Sequence, residues 1–142
     1  MPNFSTAAAR APLTSPSPRH SAGRIALWTL QILLACALLA AGGSKLAGAL
    51  PMVQLFDAIG VGQWFRYATG TIEVAGAVLL LIPALSGVGA VLLSAVMVGA
   101  VMTHLFIVPS SPAAPLVLLA GLMTVAFVRR GEIAAQLGRA RA

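Results

Sequence analysis

Between residues 25 and 128 only Lys45, Asp57, Arg66 and Glu73 carry a formal charge, and the rest of that stretch falls into four apolar runs separated by short turns. The first, 25–44, has 20 residues, enough for a helix rising about 1.5 Å per residue to cross a hydrocarbon core of roughly 30 Å. The second, 67–85, is closed by Pro83 and the turn Ser86-Gly87. The third, 88–108, ends at Pro109, and the fourth, 113–128, has 16 residues with Pro115 near its start. Sixteen is under the usual minimum of about 17 for a span. It is retained as one because an odd number of crossings would put the two basic ends of the chain on opposite sides.

That argument depends on where the charges lie. The chain is 59% hydrophobic and 8% charged, against roughly 25% charged in soluble domains, so it reads as an integral membrane protein. A net charge of +6 would attract nucleic acid if it were clustered on one folded face. Instead Arg10, Arg19 and Arg24 precede the first run, and Arg129, Arg130, Arg139 and Arg141 follow the last. Basic residues flanking apolar runs follow the positive-inside pattern, which excludes nucleic acid as the partner and puts both termini in the cytoplasm. The expected organisation is a disordered cytoplasmic tail over 1–24, a four-helix transmembrane domain over 25–128, and a basic cytoplasmic tail over 129–142. The first tail lacks any acid and is rich in Ser, Ala, Pro and Arg, a composition that buries no core; a targeting leader is the alternative. The single cysteine, Cys36, excludes an intramolecular disulfide and a cysteine-based metal cluster. Ala37 to Ala41 stays apolar where a lipoprotein would turn polar after its modified cysteine.

The joints place the polar residues. Pro83 to Gly87 is a tight uncharged turn, so the second and third helices form an antiparallel hairpin. Pro109-Ser110-Ser111-Pro112 is a short external turn. The connection 45–66 is the long external one, and within it Met52, Val53, Phe56 and Ile59 have helical spacing. A short amphipathic helix at the interface is expected there, anchored by Trp64, Phe65 and Tyr67.

Helices in lipid pack through small residues and turn polar side chains toward protein. Each long helix has such a stripe: Gln31, Ala35, Leu38, Gly42 and Lys45 on the first, Arg66, Thr69, Gly70, Glu73 and Gly76 on the second, Ala90, Ser94, Met97, Val101 and His104 on the third. From the rise per residue, Glu73 lies ~10 Å below the external end of its helix and His104 ~6 Å below its own. Lys45, Arg66, Glu73 and His104 therefore form a candidate intramembrane polar cluster in the external half, where Asp57 also falls; Asp57, Thr69 and Gln31 are secondary site candidates. A carboxylate at such depth requires a partner or a role. Lys45 or Arg66 would serve as an ion-pair partner, and His104 would bond to a hydroxyl such as Thr103 or Thr69.

Catalytic readings are weaker. One Glu and one His fall short of the three protein ligands of a catalytic zinc site. Ala41-Gly42-Gly43-Ser44-Lys45 lacks P-loop spacing. His104 alone is a poor axial haem ligand. A pocket for a small apolar molecule such as a quinone remains, with Glu73 and His104 handling protons. A solute transporter is less well supported, because no helix is broken at its centre.

Gly43-Ser44-Lys45-Leu46, Phe65-Arg66-Tyr67 leading into Thr69-Gly70-Thr71-Ile72-Glu73, Leu81-Ile82-Pro83, and Met97-Val98-Gly99-Ala100 followed by Thr103-His104-Leu105 together resemble the DoxX-like family. The resemblance extends over about residues 24–129 and marks Lys45, Arg66, Glu73 and His104 as the family's polar positions. It implies a small all-α, four-helix protein of the bacterial cytoplasmic membrane. It also implies a place in membrane complexes concerned with redox and sulfur stress, some relatives being linked to thiosulfate:quinone oxidoreductase. The reading favoured is a non-enzymatic subunit, or a component binding a small apolar ligand, in contact with the lipid bilayer and a protein partner. A quinone-linked oxidoreductase subunit is the alternative.

Overall fold

The computed structural model describes residues 18–139, and the regular structure in them is entirely helical: α1 Pro18–Leu46, α2 Leu50–Ile59, α3 Gln63–Leu81, α4 Ser86–Phe106, α5 Ala113–Val128 and α6 Arg130–Arg139. The punctuation follows local chemistry. The chain leaves α1 through Gly48 at φ 71°, a conformation that only glycine adopts without strain. Pro51 sits in the first turn of α2, where a missing N–H costs nothing. Gly60 at φ 77° ends that helix with its N–H on the carbonyls of Phe56 and Asp57. Pro83 stops α3, because it supplies no N–H for a further turn.

α1 packs most extensively on α3, α4 packs on both α3 and α5, and a smaller contact joins α1 to α5. The shared core is aliphatic, with Leu38, Leu80, Leu93 and Leu122 fully buried. Two of these contacts are backbone-close. A Cβ on Gly42 of α1 would lie 2.9 Å from the Gly70 carbonyl of α3, and one on Gly89 of α4 would lie 2.9 Å from the Gly76 carbonyl. Small residues at helix crossings are how helices associate in lipid, where apolar burial gives no net drive. The outer faces are correspondingly apolar: Ile25, Leu33, Val91, Val98, Met102 and Phe127 are all exposed. Apolar surface on this scale marks contact with a membrane or partner.

Two helices are long and apolar enough to cross a membrane, over Ala22–Leu46 and Ser86–Phe106. α5 joins α6 across a 65° bend, and counting that pair as one broken span makes three. α3 is long enough, but Gln63, Arg66 and Glu73 dilute its apolar character; α5 is short, at 16 residues.

Helix limits differ from expectation at both ends. α1 begins at Pro18, inside the segment expected to be a disordered tail, and residues 1–17 of that segment lie outside the described residues. α6 occupies most of the expected basic tail and folds back, seating Ile133 against Gly87, where an added Cβ would come within 2.6 Å of the isoleucine side chain. The short helix expected over 51–59 is α2, and its Phe56 packs edge-on against Phe65 of α3, ring centres 5.8 Å apart.

Candidate functional site

Glu73 stands nearly three turns into α3 and is 2% exposed. The same face of α3 buries Gly70, Gly76, Ala77 and Leu80. That spacing turns the carboxylate inward, toward α1. There Lys45, in the last turn of α1, reaches it with Nζ 2.7 Å from Oε2. The short distance is permitted by the glycines beside it, since the Cβ of Lys45 lies 3.0 Å from where a Cβ on Gly70 would be. Charges this well buried attract strongly, but the desolvation of each offsets much of the gain.

Arg66, one helical turn before Gly70, is 4% exposed and is held from three sides. Its Nη1 donates to the backbone carbonyl of Lys45, one of the last-turn carbonyls that a helix leaves without an internal partner. Its Nε donates to Gln63 Oε1 at 2.6 Å, and its guanidinium lies 4.2 Å from the centre of the Tyr67 ring. Gln63 in turn donates to the Val53 carbonyl and, at 2.6 Å, to Asp57 Oδ1. A continuous polar chain thus runs from Glu73 through Lys45, Arg66 and Gln63 to Asp57, tying α1, α3 and α2 together at one end of the molecule.

The other sequence candidates lie outside this chain. His104, in the last turn of α4, bonds through Nδ1 to Ser110 Oγ at 2.6 Å in the loop that follows, and is only half-buried. Among the described residues no hydrogen bond or ion pair joins it to Glu73. Thr69 Oγ1 donates back to the carbonyls of Phe65 and Arg66 in its own helix. Gln31 is fully buried at the opposite end, where its Nε2 donates to the Leu80 carbonyl at 2.8 Å. α1 meets Leu80 near the far end of α3, so Gln31 lies well away from Lys45 although both share one stripe of α1. Among the described residues no set of three His, Cys, Asp or Glu side chains is grouped to hold a metal ion.

At that opposite end the structure assembles a second cluster, one that sequence reasoning missed. Gln31 Oε1 accepts from Arg129 Nη2 at 3.0 Å, across 98 positions of sequence. Arg129 Nη1 donates to Glu132 Oε1 at 2.6 Å and to the Pro83 carbonyl at 3.4 Å. Ser86 Oγ reaches the Pro83 carbonyl and Glu132, and Gln136 donates to the Ala84 carbonyl. Three of these bonds end on carbonyls of the α3–α4 turn, two at Pro83 and one at Ala84, groups that a helix end leaves without internal donors. Pro83 followed by an uncharged turn was the available signal: carbonyls freed there need donors from elsewhere.

A family model described as the DoxX-like family matches residues 29–130, from the middle of α1 to the start of α6, and takes in both clusters apart from Glu132 and Gln136. No curated protein and no solved structure matches the chain.

Proposed function

This chain belongs to the DoxX-like family, and from that premise we propose that it is a four-span protein of the bacterial cytoplasmic membrane with both termini in the cytoplasm. In this reading it is a non-catalytic subunit of a membrane complex with a redox or stress role. α1, α3, α4 and α5 are the spans, α2 lies at the external interface, and α6 rests on the cytoplasmic side. The stripe of exposed apolar residues supports immersion of all four. α3 crosses despite Arg66 and Glu73, because both are buried in protein rather than turned to lipid.

The observation that carries the non-catalytic reading is the engagement of the polar groups. Glu73 holds Lys45, while Arg66 holds a helix terminus and Gln63. Such bonds fix the rotation and depth of neighbouring helices without chemistry. A quinone-linked reaction would need Glu73 and His104 on one proton path, and His104 is engaged with Ser110 instead. What the bundle leaves open is its outer surface, which suits lipid and a protein partner.

Purification from the native membrane in mild detergent tests this. The expected preparation is colourless, carries no stoichiometric quinone, and contains a second protein that crosslinks to this chain within the intact membrane. Quinone retained at one equivalent and lost in Glu73→Gln would overturn it in favour of the oxidoreductase reading. A reporter fused after Arg141 should read cytoplasmic, and a periplasmic signal would reject four spans.

A further inference from the structure

Where α1, the α3–α4 turn and the α5–α6 bend meet, a groove of about 500 Å³ is lined by Arg24, Leu27, Trp28, Pro83, Val128, Arg129 and others, a volume within the roughly 300–1,000 Å³ of small-ligand sites. Its two walls differ in kind. Leu27, Trp28, Pro83 and Val128 are apolar, and Trp28 lies one turn, ~6 Å, deeper along α1 than Arg24. Arg24, Arg129 and Glu132 supply the charge. Glu132 is bound by Arg129, so these two cancel. Arg24 is exposed and has no ion pair among the described residues. The groove therefore presents one unmatched positive charge above an apolar floor containing an indole. In addition, Arg129 Nε is buried and has no hydrogen-bond partner among the described residues, so this guanidinium has a donor that they leave unused.

We infer that this groove binds the phosphodiester headgroup of an anionic phospholipid, with Arg24 pairing the phosphate and Leu27, Trp28 and Val128 against the glycerol and upper acyl chains. A monoanionic phosphodiester matches the single unmatched charge, and the apolar floor suits a ligand that continues into hydrocarbon. A free phosphate would satisfy Arg24 but leave the floor empty. Basic pockets between helices on the cytoplasmic side are where anionic headgroups bind, and indoles favour that depth. The inference rests on the membrane reading above.

The test uses the full chain carrying Trp64→Phe, so that Trp28 is the one indole, reconstituted in phosphatidylcholine vesicles. Brominated phosphatidylcholine and brominated phosphatidylglycerol are compared as quenchers at equal mole fraction. Phosphatidylglycerol should be enriched around Trp28 by roughly fivefold, the factor equivalent to about 1 kcal/mol for one basic residue at such a surface. Arg24→Gln should abolish the preference while the circular dichroism is unchanged. Arg130→Gln should preserve it, because Arg130 lies at the same end over Phe127 and does not line the groove. Equal quenching by both lipids, or equal loss from the two arginine variants, would overturn the headgroup site while leaving membrane insertion standing. Quenching by neither lipid would remove the membrane reading with it. A preference erased by excess inorganic phosphate would reassign the groove to a soluble anion and overturn the lipid.

Discussion

Replacing Lys45 by Met removes the partner of a carboxylate that is 2% exposed and 2.7 Å away. Burial leaves Glu73 no water to turn to, so breaking the pair from one side should cost about 3–5 kcal/mol. Glu73→Gln strands Lys45 less severely: its side chain is 13% exposed and near the end of α1, so its ammonium can reach toward the interface. A cost of about 1–2 kcal/mol is expected there, close to that of an unmatched polar group. The double variant removes both charges, so its cost should fall short of the two single losses added together. The cycle would then show a coupling of about 2 kcal/mol, inside the range for contacting residues. This magnitude is diagnostic, because ordinary hydrogen bonds between membrane helices average about 0.6 kcal/mol. Unfolding of the reconstituted protein by increasing SDS, followed by Trp28 and Trp64 fluorescence, measures all four forms. Additivity within about 0.5 kcal/mol would mean that the two side chains do not act on each other. The pinning role assigned to this pair would then fail.

The close α1–α3 crossing predicts that Gly42→Ala costs about 1–3 kcal/mol, since the new Cβ meets the Gly70 carbonyl and Val74 at 2.9 Å. Gly99→Ala, with open space around it, should be neutral within about 0.5 kcal/mol in the same assay. Gln31→Leu should destabilise by about 1–3 kcal/mol by leaving the Leu80 carbonyl buried without a donor; an unchanged unfolding midpoint would count against that bond. Cys36 is exposed on α1 within the apolar stretch Ala22–Leu46. In intact vesicles neither a membrane-permeant maleimide nor a charged, impermeant thiol reagent should label it, because the reactive thiolate does not form in hydrocarbon, and both should label it once SDS unfolds the chain. Labelling by the impermeant reagent before SDS is added would show that this face of α1 meets water rather than lipid.

Local chemistry carried most of the helical layout. Pro51, Pro83, Pro109 and the Gly60–Gly62 turn are stop and start signals readable in isolation, and the helices α2, α4 and α5 fall within two residues of the limits they imply. The ends were less legible. Pro18–Arg24 lacks the apolar period of a packed helix and continues α1 only because the rest of that helix supports it. Arg130–Arg139 is as polar as a tail, and its fold-back depends on contacts with Ile133, Glu132 and Gln136 that no local pattern announces.

The sequence by itself determined that this chain is helical and apolar, where its turns fall, and that Glu73 lies on a small-residue face in need of a partner. These follow from hydropathy, turn chemistry and the 3.6-residue period, all of which act over a few neighbours. Which partner Glu73 takes was open between Lys45 and Arg66, and only the rotation of α1 against α3 at the Gly42–Gly70 crossing decided for Lys45, freeing Arg66 to bind the end of α1. The same holds for Gln31, which shares a stripe with Lys45 yet meets Leu80 and Arg129 at the other end of the fold. A stripe gives a direction around the helix axis. Depth and partner come from how antiparallel helices are aligned along their length, and that alignment is a property of the packed whole.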